Sequence, residues 1–192
     1  MRKTKISGPA VFMYSTIVLT AVLAAVCFTL YYSAFVKSDF VLWIGIVSFM
    51  ILYHFGLRIF MGEVTKRIRF NYNTYWYKTK SFEKPLYRLL RVRSWKDKVL
   101  TFDPASYDFQ NRTLEQLAYT MTKSETDHWI NEIISVISIL FSVIWGCFPI
   151  FLVTAVAAML FDAQFIVVQR YNRPVVLRLI EKKSRKKTKI EV

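Results

Sequence analysis

The fold is decided by one apolar stretch, IISVISILFSVIWGCFPIFLVTAVAAMLFDAQFIVV at residues 133–168, which runs directly into QRYNRP at residues 169–174. Asp162 is the one charged residue in the apolar stretch. Because a membrane-spanning helix needs about 20 apolar residues, this stretch is long enough to enter a bilayer. The sequence Trp-Gly-Cys-Phe-Pro near its middle predicts a break between two limbs of about 16–18 residues. We place two full spans at residues 129–145 and 148–168, and the alternative is a shallow hairpin that does not cross the membrane fully.

Two further apolar runs precede this stretch. Residues 6–36 and residues 40–57 contain no charged side chain. They predict spans at residues 9–36 and 40–61, with a tight turn between them. The sequence therefore indicates an all-α integral membrane protein with about four transmembrane helices.

Basic residues collect in three places along the chain. Of the 27 Lys and Arg residues, three precede residue 6, thirteen lie between residues 63 and 128, and nine lie from Arg170 onward. Basic residues favour the cytoplasmic side of a membrane, so both termini and the middle segment are expected there. This distribution accounts for the net charge of +14 without a nucleic-acid partner, and it indicates that the partner is the lipid bilayer. The first apolar run is too long for a cleaved signal peptide, so we expect an uncleaved anchor.

The resulting division has four parts. Residues 1–62 form an N-terminal pair of transmembrane helices, and residues 63–127 form a basic, aromatic-rich, partly helical cytoplasmic segment at the membrane interface. Residues 128–174 form a transmembrane hairpin, and residues 175–192 form a basic tail. Within the segment, residues 85–93 have the pattern of a basic amphipathic helix on an anionic leaflet, and residues 112–121 have a helical pattern. The part of the tail from residue 181 is expected to be disordered and attracted to anionic lipid.

Polar side chains at the inner ends of three predicted spans should lie at one depth. They are Arg58, the pair Glu125 and His128, and the residues of the QRYNR run. Glu125 and His128 are three residues apart, so a helix places both on one face, where a carboxylate can orient an imidazole as a general base. Two other interpretations stay open: a solvated or capping pair, and an interface anchor in which Arg and Tyr reach the headgroups. Pro174 predicts a helix end near Arg173.

Several kinds of site are not indicated by the sequence. The chain lacks a two-histidine zinc helix, a second Glu-x-x-His for a di-iron centre and a Gly-rich phosphate loop, so no metal ligand set is predicted. Cys27 and Cys147 lie within apolar runs, where small packing residues are expected. His54 and Arg58 share one helix face, so they either face the bundle interior or, in the case of Arg58, reach the headgroups.

Three motifs follow one another along the chain: WK-x-K-x-L at residues 95–100, E-x-x-HW at residues 125–129 and VVQRYNRP at residues 167–174. Together they resemble the glycosyl-4,4'-diaponeurosporenoate acyltransferases, small bacterial membrane proteins that acylate the sugar of a glycosylated carotenoid acid in staphyloxanthin-type pathways. The likeness covers roughly residues 56–185, and QRYNR is its most specific part. Thr120, Lys123 and Ser124 stand where the family pattern has Glu, Arg and Ala.

The resemblance implies an O-acyltransferase of the bacterial cell membrane. It implies a lipid-linked sugar acceptor and an acyl thioester donor similar to acyl-coenzyme A, with no bound cofactor. His128 is the expected general base, and Glu125 is expected to hold its imidazole. The residues expected to contact substrate are Arg170, Arg173, Asn172, Gln169, Tyr171, Arg58, Lys123, Trp129, Trp95 and Lys96.

A second hypothesis involves no catalysis. The basic cytoplasmic face would then recruit anionic lipid or partner enzymes, and its binding would weaken as ionic strength rises. A transporter is less favoured, because His54 and Asp162 are the chief polar groups inside the predicted spans.

Overall fold

The computed structural model describes residues 8–99 and 103–190, so the basic residues 2, 3 and 5 and Leu100, which belong to predicted patterns, lie outside it together with residues 1, 4, 6, 7, 101, 102, 191 and 192. Within these ranges the chain contains helices and loops but no strand, which confirms the all-α prediction. The helices are α1 (Gly8–Tyr32), α2 (Asp39–Thr65), α3 (Glu83–Leu89), α4 (Val92–Trp95), α5 (Leu114–Ser138), α6 (Ser142–Trp145) and α7 (Phe148–Ile190). Short 3₁₀ turns lie at Tyr75–Tyr77, Lys96–Lys98, Pro104–Tyr107 and Ile139–Phe141.

Four segments are long and apolar enough to cross a membrane: Gly8–Tyr32, Asp39–Thr65, Leu114–Trp145 and Phe148–Lys186. Many of their large apolar side chains are exposed on the protein surface, as expected when lipid rather than water surrounds a helix. The chain is therefore a multi-pass membrane protein.

The first two helices form a tightly packed pair. Gly45 of α2 faces α1, and a Cβ placed on it would lie 3.0 Å from the Phe28 ring and 3.2 Å from Cys27 Cβ. Small residues permit this kind of close approach between helices in membranes. The buried Cys27 is thus a packing residue at this contact.

The predicted break at the middle of the long apolar stretch is confirmed. Gly146 and Cys147 both have positive φ, at 73° and 54°, and they separate α6 from α7. The spans themselves are longer than predicted. A capping box between Thr113 and Gln116 starts α5 at Leu114, so the helical pattern at residues 112–121 and the first part of the span expected at residues 129–145 belong to one helix.

The helix end predicted at Pro174 is wrong, because α7 continues through this proline to Ile190. Val176 beyond the proline is buried against Leu117, Ala118 and Met121 of α5. This packing holds the helix together although proline lacks one backbone donor. The expectation of a disordered tail is also wrong for residues 181–190, since Lys, Arg and Glu are good helix formers and extend a helix that already exists.

The segment between α2 and α5 is partly helical, as predicted. The expected helix at residues 85–93 is interrupted at Arg91, which has φ 49°, so that α3 and α4 are separate. Tyr87 is buried, whereas Leu86 and Leu89 are exposed on the other side of α3. These exposed leucines beside basic residues fit a helix that lies on a membrane surface.

Candidate active site

Two groups of buried polar side chains lie along the contact between α5 and α7. The Asp162 cluster consists of Arg58, His128, Asn131 and Asp162. The Glu125 cluster consists of Glu83, Tyr87, Glu125, Arg170 and Arg173. On α5 the members recur every three residues, and on α7 they lie eight and three residues apart, which places them on the face toward the other helix.

Asp162 is the centre of the first cluster. Its side chain is 1% exposed, and it forms an ion pair with Arg58 of α2. Its Oδ1 lies 2.8 Å from His128 Nδ1 and accepts a hydrogen bond of 3.0 Å from Asn131 Nδ2. Because an ionised carboxylate only accepts hydrogen bonds, His128 Nδ1 carries the proton in this arrangement. Polar side chains of α2 and α5 therefore bind the same carboxylate of α7.

The imidazole of His128 is fixed on two sides. Its ring stacks on Phe165 with a centroid distance of 4.5 Å and an interplanar angle of 4°. With Nδ1 bound to Asp162, Nε2 is the nitrogen left to act as a base, and it has no hydrogen-bond partner in the described ranges. The side chain retains 19% exposure. A histidine oriented by a carboxylate in this way is suited to take a proton from a hydroxyl group.

Glu125 does not hold this imidazole, although the sequence predicted that it would. Its two oxygens accept hydrogen bonds of 2.6 Å from Arg170 Nη1 and Arg173 Nη1. Glu125 is fully buried, so the two guanidinium groups supply the charge that a buried carboxylate requires. The spacing of three residues does place Glu125 and His128 on one helix face, but the Glu125 carboxylate binds Arg170 and Arg173 of α7 instead of the imidazole.

Arg170 and Arg173 bind the segment between α2 and α5, the interfacial segment, to α7. Arg170 also donates to Glu83 and to the carbonyl oxygens of Trp76 and Lys78. Arg173 is 1% exposed and donates to the carbonyl oxygen of Tyr77 at 2.6 Å. Most donors of these two arginines are thus bound to acceptors of the protein itself.

Glu83 completes this fastening from the side of α3. Burial alone would raise the pKa of Glu83, but hydrogen bonds from Arg170 and Tyr87 bring that pKa below its ordinary value. Burial, and then the neighbouring Glu83 carboxylate, raise the pKa of the Tyr87 phenol. Glu83 is therefore a carboxylate and Tyr87 a neutral donor at neutral pH.

The other residues expected to contact substrate are spread around these clusters. Gln169 donates to Tyr107 at 3.2 Å, and Lys123 binds Asp127 at 2.6 Å and Thr65 at 2.8 Å. Three aromatic residues of this group also have partners. The ring of Tyr171 packs against Tyr87 and the ring of Trp129 packs against Trp76, and Trp95 Nε1 donates a hydrogen bond to the carbonyl oxygen of Leu90. Lys96 pairs with the adjacent Asp97, and Asn172 is half-buried. Trp95 and Lys96 have no hydrogen bond or ion pair with either cluster among the described residues, and the substrate roles of all these side chains stay predictions.

Sequence reasoning missed Asp162, Asn131 and Glu83 as members of the site. Asp162 did give a signal, since a lone charge in a transmembrane span needs a partner and often has a function. Its partners lie 34 and 104 residues away in sequence, so no local spacing could identify them. Glu83 gave no signal beyond its place in a basic segment.

An apolar groove of about 350 Å³ lies between α2 and α7. His54 and Arg58 stand at one end of it, and Trp43 stands toward the other. Arg58 therefore borders the groove while it also binds Asp162. Arg170 and His128, which were expected to share one cavity, do not line this groove.

One comparison with known proteins gave a match. Residues 73–182, more than half of the chain, match the family model described as glycosyl-4,4'-diaponeurosporenoate acyltransferase. The matched range contains both catalytic candidates, the whole QRYNR run and Asp162. No curated protein and no solved structure gives a significant match.

Proposed function

Because the chain belongs to the glycosyl-4,4'-diaponeurosporenoate acyltransferase family, we propose that it moves a fatty acyl group from a thioester to a sugar hydroxyl of a carotenoid-derived glycolipid. The protein is an acyltransferase of a carotenoid pathway, and it is a multi-pass membrane protein.

The observation that carries the proposal is the buried contact between His128 and Asp162. Acyl transfer to a hydroxyl needs a base at the attacking oxygen, and an imidazole held by a carboxylate is the commonest such base. Asp162 orients the ring through Nδ1 and stabilises the positive charge that forms when Nε2 takes a proton. Asn131 and Arg58 keep this carboxylate in place.

The proposed step begins as the sugar oxygen attacks the carbonyl carbon of the thioester. His128 Nε2 accepts the hydroxyl proton while the new C–O bond forms, and the carbonyl π electrons move to oxygen. The resulting tetrahedral intermediate collapses, the C–S bond breaks and the sulfur leaves with its electron pair. The imidazolium returns its proton to that sulfur, so the products are an ester and a free thiol.

The two arginines of the QRYNR run have a positioning role in this proposal. Arg170 and Arg173 bind Glu125 of α5, and they also bind Glu83 and the carbonyl oxygen of Tyr77, so they hold the interfacial segment beside the α5–α7 hairpin. The phosphates of a coenzyme A-type donor would then be met by exposed basic side chains of that segment, such as Lys78 and Arg88. A positively charged surface also attracts such a donor from solution.

The protein in lipid nanodiscs, supplied with a long-chain acyl-coenzyme A and a glycosylated carotenoid acid, is expected to form an acylated glycolipid and free coenzyme A. Mass spectrometry of the lipid extract and a thiol assay measure the two products. A matched acceptor without the sugar should give no ester. Release of free fatty acid without ester formation, or no turnover with any glycolipid, would contradict the proposed function.

We also propose that both termini face the cytoplasm of a bacterial cell, because the basic residues collect in the terminal regions and the middle segment. The turn at Gly146 and Cys147 would then face outward, with Cys147 exposed and Cys27 buried. A membrane-impermeant maleimide added to intact cells is expected to label the wild type but not the Cys147→Ser variant. Labelling that requires permeabilised cells would place the turn inside.

A further inference from the structure

The apolar groove between α2 and α7 has the shape of a site for a single hydrocarbon chain. The distance along α2 from Trp43 to Arg58 is about 22 Å, at a rise of about 1.5 Å per residue. With a volume of about 350 Å³, the groove is narrow for its length. Its walls are apolar side chains, chiefly Ile46, Val47 and Met50 on α2 and Phe151, Ala158 and Phe161 on α7.

The inner end of the groove carries polar groups that lack partners. His54 is 9% exposed, and both of its ring nitrogens are buried without a hydrogen bond among the described residues. The Nε of Arg58 is likewise buried and unpaired. Arginine Nε–H can only donate, and one nitrogen of a neutral imidazole donates as well. A buried donor without an acceptor is costly, so this end of the groove favours a ligand that brings an acceptor such as a carbonyl oxygen.

The same end of the groove adjoins the base of the proposed reaction. Arg58 uses Nη2 to bind Asp162, which in turn binds His128. Phe161, which lines the groove, packs its ring against Phe165 at 5.2 Å, and Phe165 stacks on His128. A carbonyl group at His54 and Arg58 would thus lie at the border of the Asp162 cluster.

We propose that this groove binds the fatty chain of the thioester donor, with the thioester carbonyl oxygen at His54 and Arg58. This inference rests on the proposed function and names the place of its donor. The occupant is a single acyl chain rather than a sugar, because a sugar carries many hydroxyl groups, whereas the described residues that line the groove are mostly apolar and offer polar atoms at Trp43, His54, Arg58 and Thr154. The length of the groove then sets the chain length that the enzyme prefers.

The experiment uses the full chain in nanodiscs and a long-chain acyl-coenzyme A that carries a diazirine near the end of its acyl chain. After irradiation, peptide mass spectrometry should locate the label on groove residues of α2 and α7 near Trp43. Ala158→Trp fills the groove and is expected to reduce this labelling at least tenfold. The matched control is Ala157→Trp, since Ala157 is exposed on the neighbouring face of α7 and does not line the groove; it should label as the wild type does. Val47→Trp narrows the groove from the opposite wall and should act as Ala158→Trp does.

Equal labelling of Ala158→Trp and Ala157→Trp, both folded by their melting temperatures, would overturn the proposal. So would labelling that bilayer phospholipid displaces as well as unlabelled acyl-coenzyme A does, because the groove would then be an ordinary lipid contact. Displacement by the glycosylated carotenoid would assign the groove to the acceptor and also overturn it. The His128→Gln variant keeps the two proposals separate, because it should lose transfer but keep the labelling.

Discussion

Replacing His128 by Gln is expected to lower kcat for acyl transfer by roughly 10²–10⁴-fold, which is the usual contribution of a general base. Glutamine keeps a polar side chain of similar length but cannot accept the hydroxyl proton. The substrate-binding surfaces are unchanged, so KM for the thioester should stay near its wild-type value. Initial rates of ester formation in nanodiscs, measured over a range of donor concentrations, separate the two constants.

The control for this variant is Ile133→Ala on the same helix. Ile133 is exposed on the outer surface of α5 and lies outside both clusters, so its truncation should leave kcat unchanged. A His128→Gln variant that melts like the wild type and retains its full rate would reject the assignment of His128 as the base.

Asp162 acts through His128, so its replacement tests orientation rather than proton transfer. An amide at residue 162 can present its NH₂ group to Nδ1 and thereby favour the wrong tautomer of the imidazole. Asp162→Asn should therefore reduce kcat with little change in KM, and Asp162→Glu should restore part of the rate because it restores a carboxylate. Equal rates for the two variants would show that Asp162 serves folding alone, through its ion pair with Arg58.

The transmembrane helices could be predicted because their signals are local. Apolar runs of spanning length and a Gly-containing break are visible without any knowledge of tertiary structure, and both predictions hold. The end of α7 could not be predicted in this way. Pro174 is a local signal for a helix end, but Val176 is buried against α5, and this tertiary packing outweighs the missing backbone hydrogen bond.

The membership of the site could be predicted only in part. Glu125, His128 and Arg170 were identified because each has a motif or a nearby partner in sequence. The predicted partner of His128 was wrong, because the residue that binds this imidazole depends on the register between α5 and α7. That register sets Asp162 beside His128 and Arg170 beside Glu125, so the polar groups that were expected in one cavity form two clusters.

Replacement of Glu125 by Ala is expected to destabilise the folded protein by about 3–5 kcal/mol, because it leaves buried guanidinium charge without its partner. Arg173 is the more affected arginine, since Glu125 is its one ion-pair partner among the described residues, whereas Arg170 keeps Glu83. Thermal unfolding in detergent measures the effect. Glu63→Ala removes the exposed ion pair with Lys66 and should cost less than about 1 kcal/mol, which makes it the matched control.

Two further variants of Glu125 distinguish a positioning role of this carboxylate from a catalytic one. If Glu125 stabilises the packing between α7 and the interfacial segment, the double variant Glu125→Leu with Arg173→Met should recover part of the lost stability, since a buried ion pair can be replaced by apolar groups of similar volume. The folded fraction of Glu125→Gln should still transfer acyl groups, because the His128–Asp162 contact does not involve Glu125. An unchanged melting temperature together with a loss of kcat as large as that of His128→Gln would contradict the geometry and return Glu125 to the role of imidazole partner.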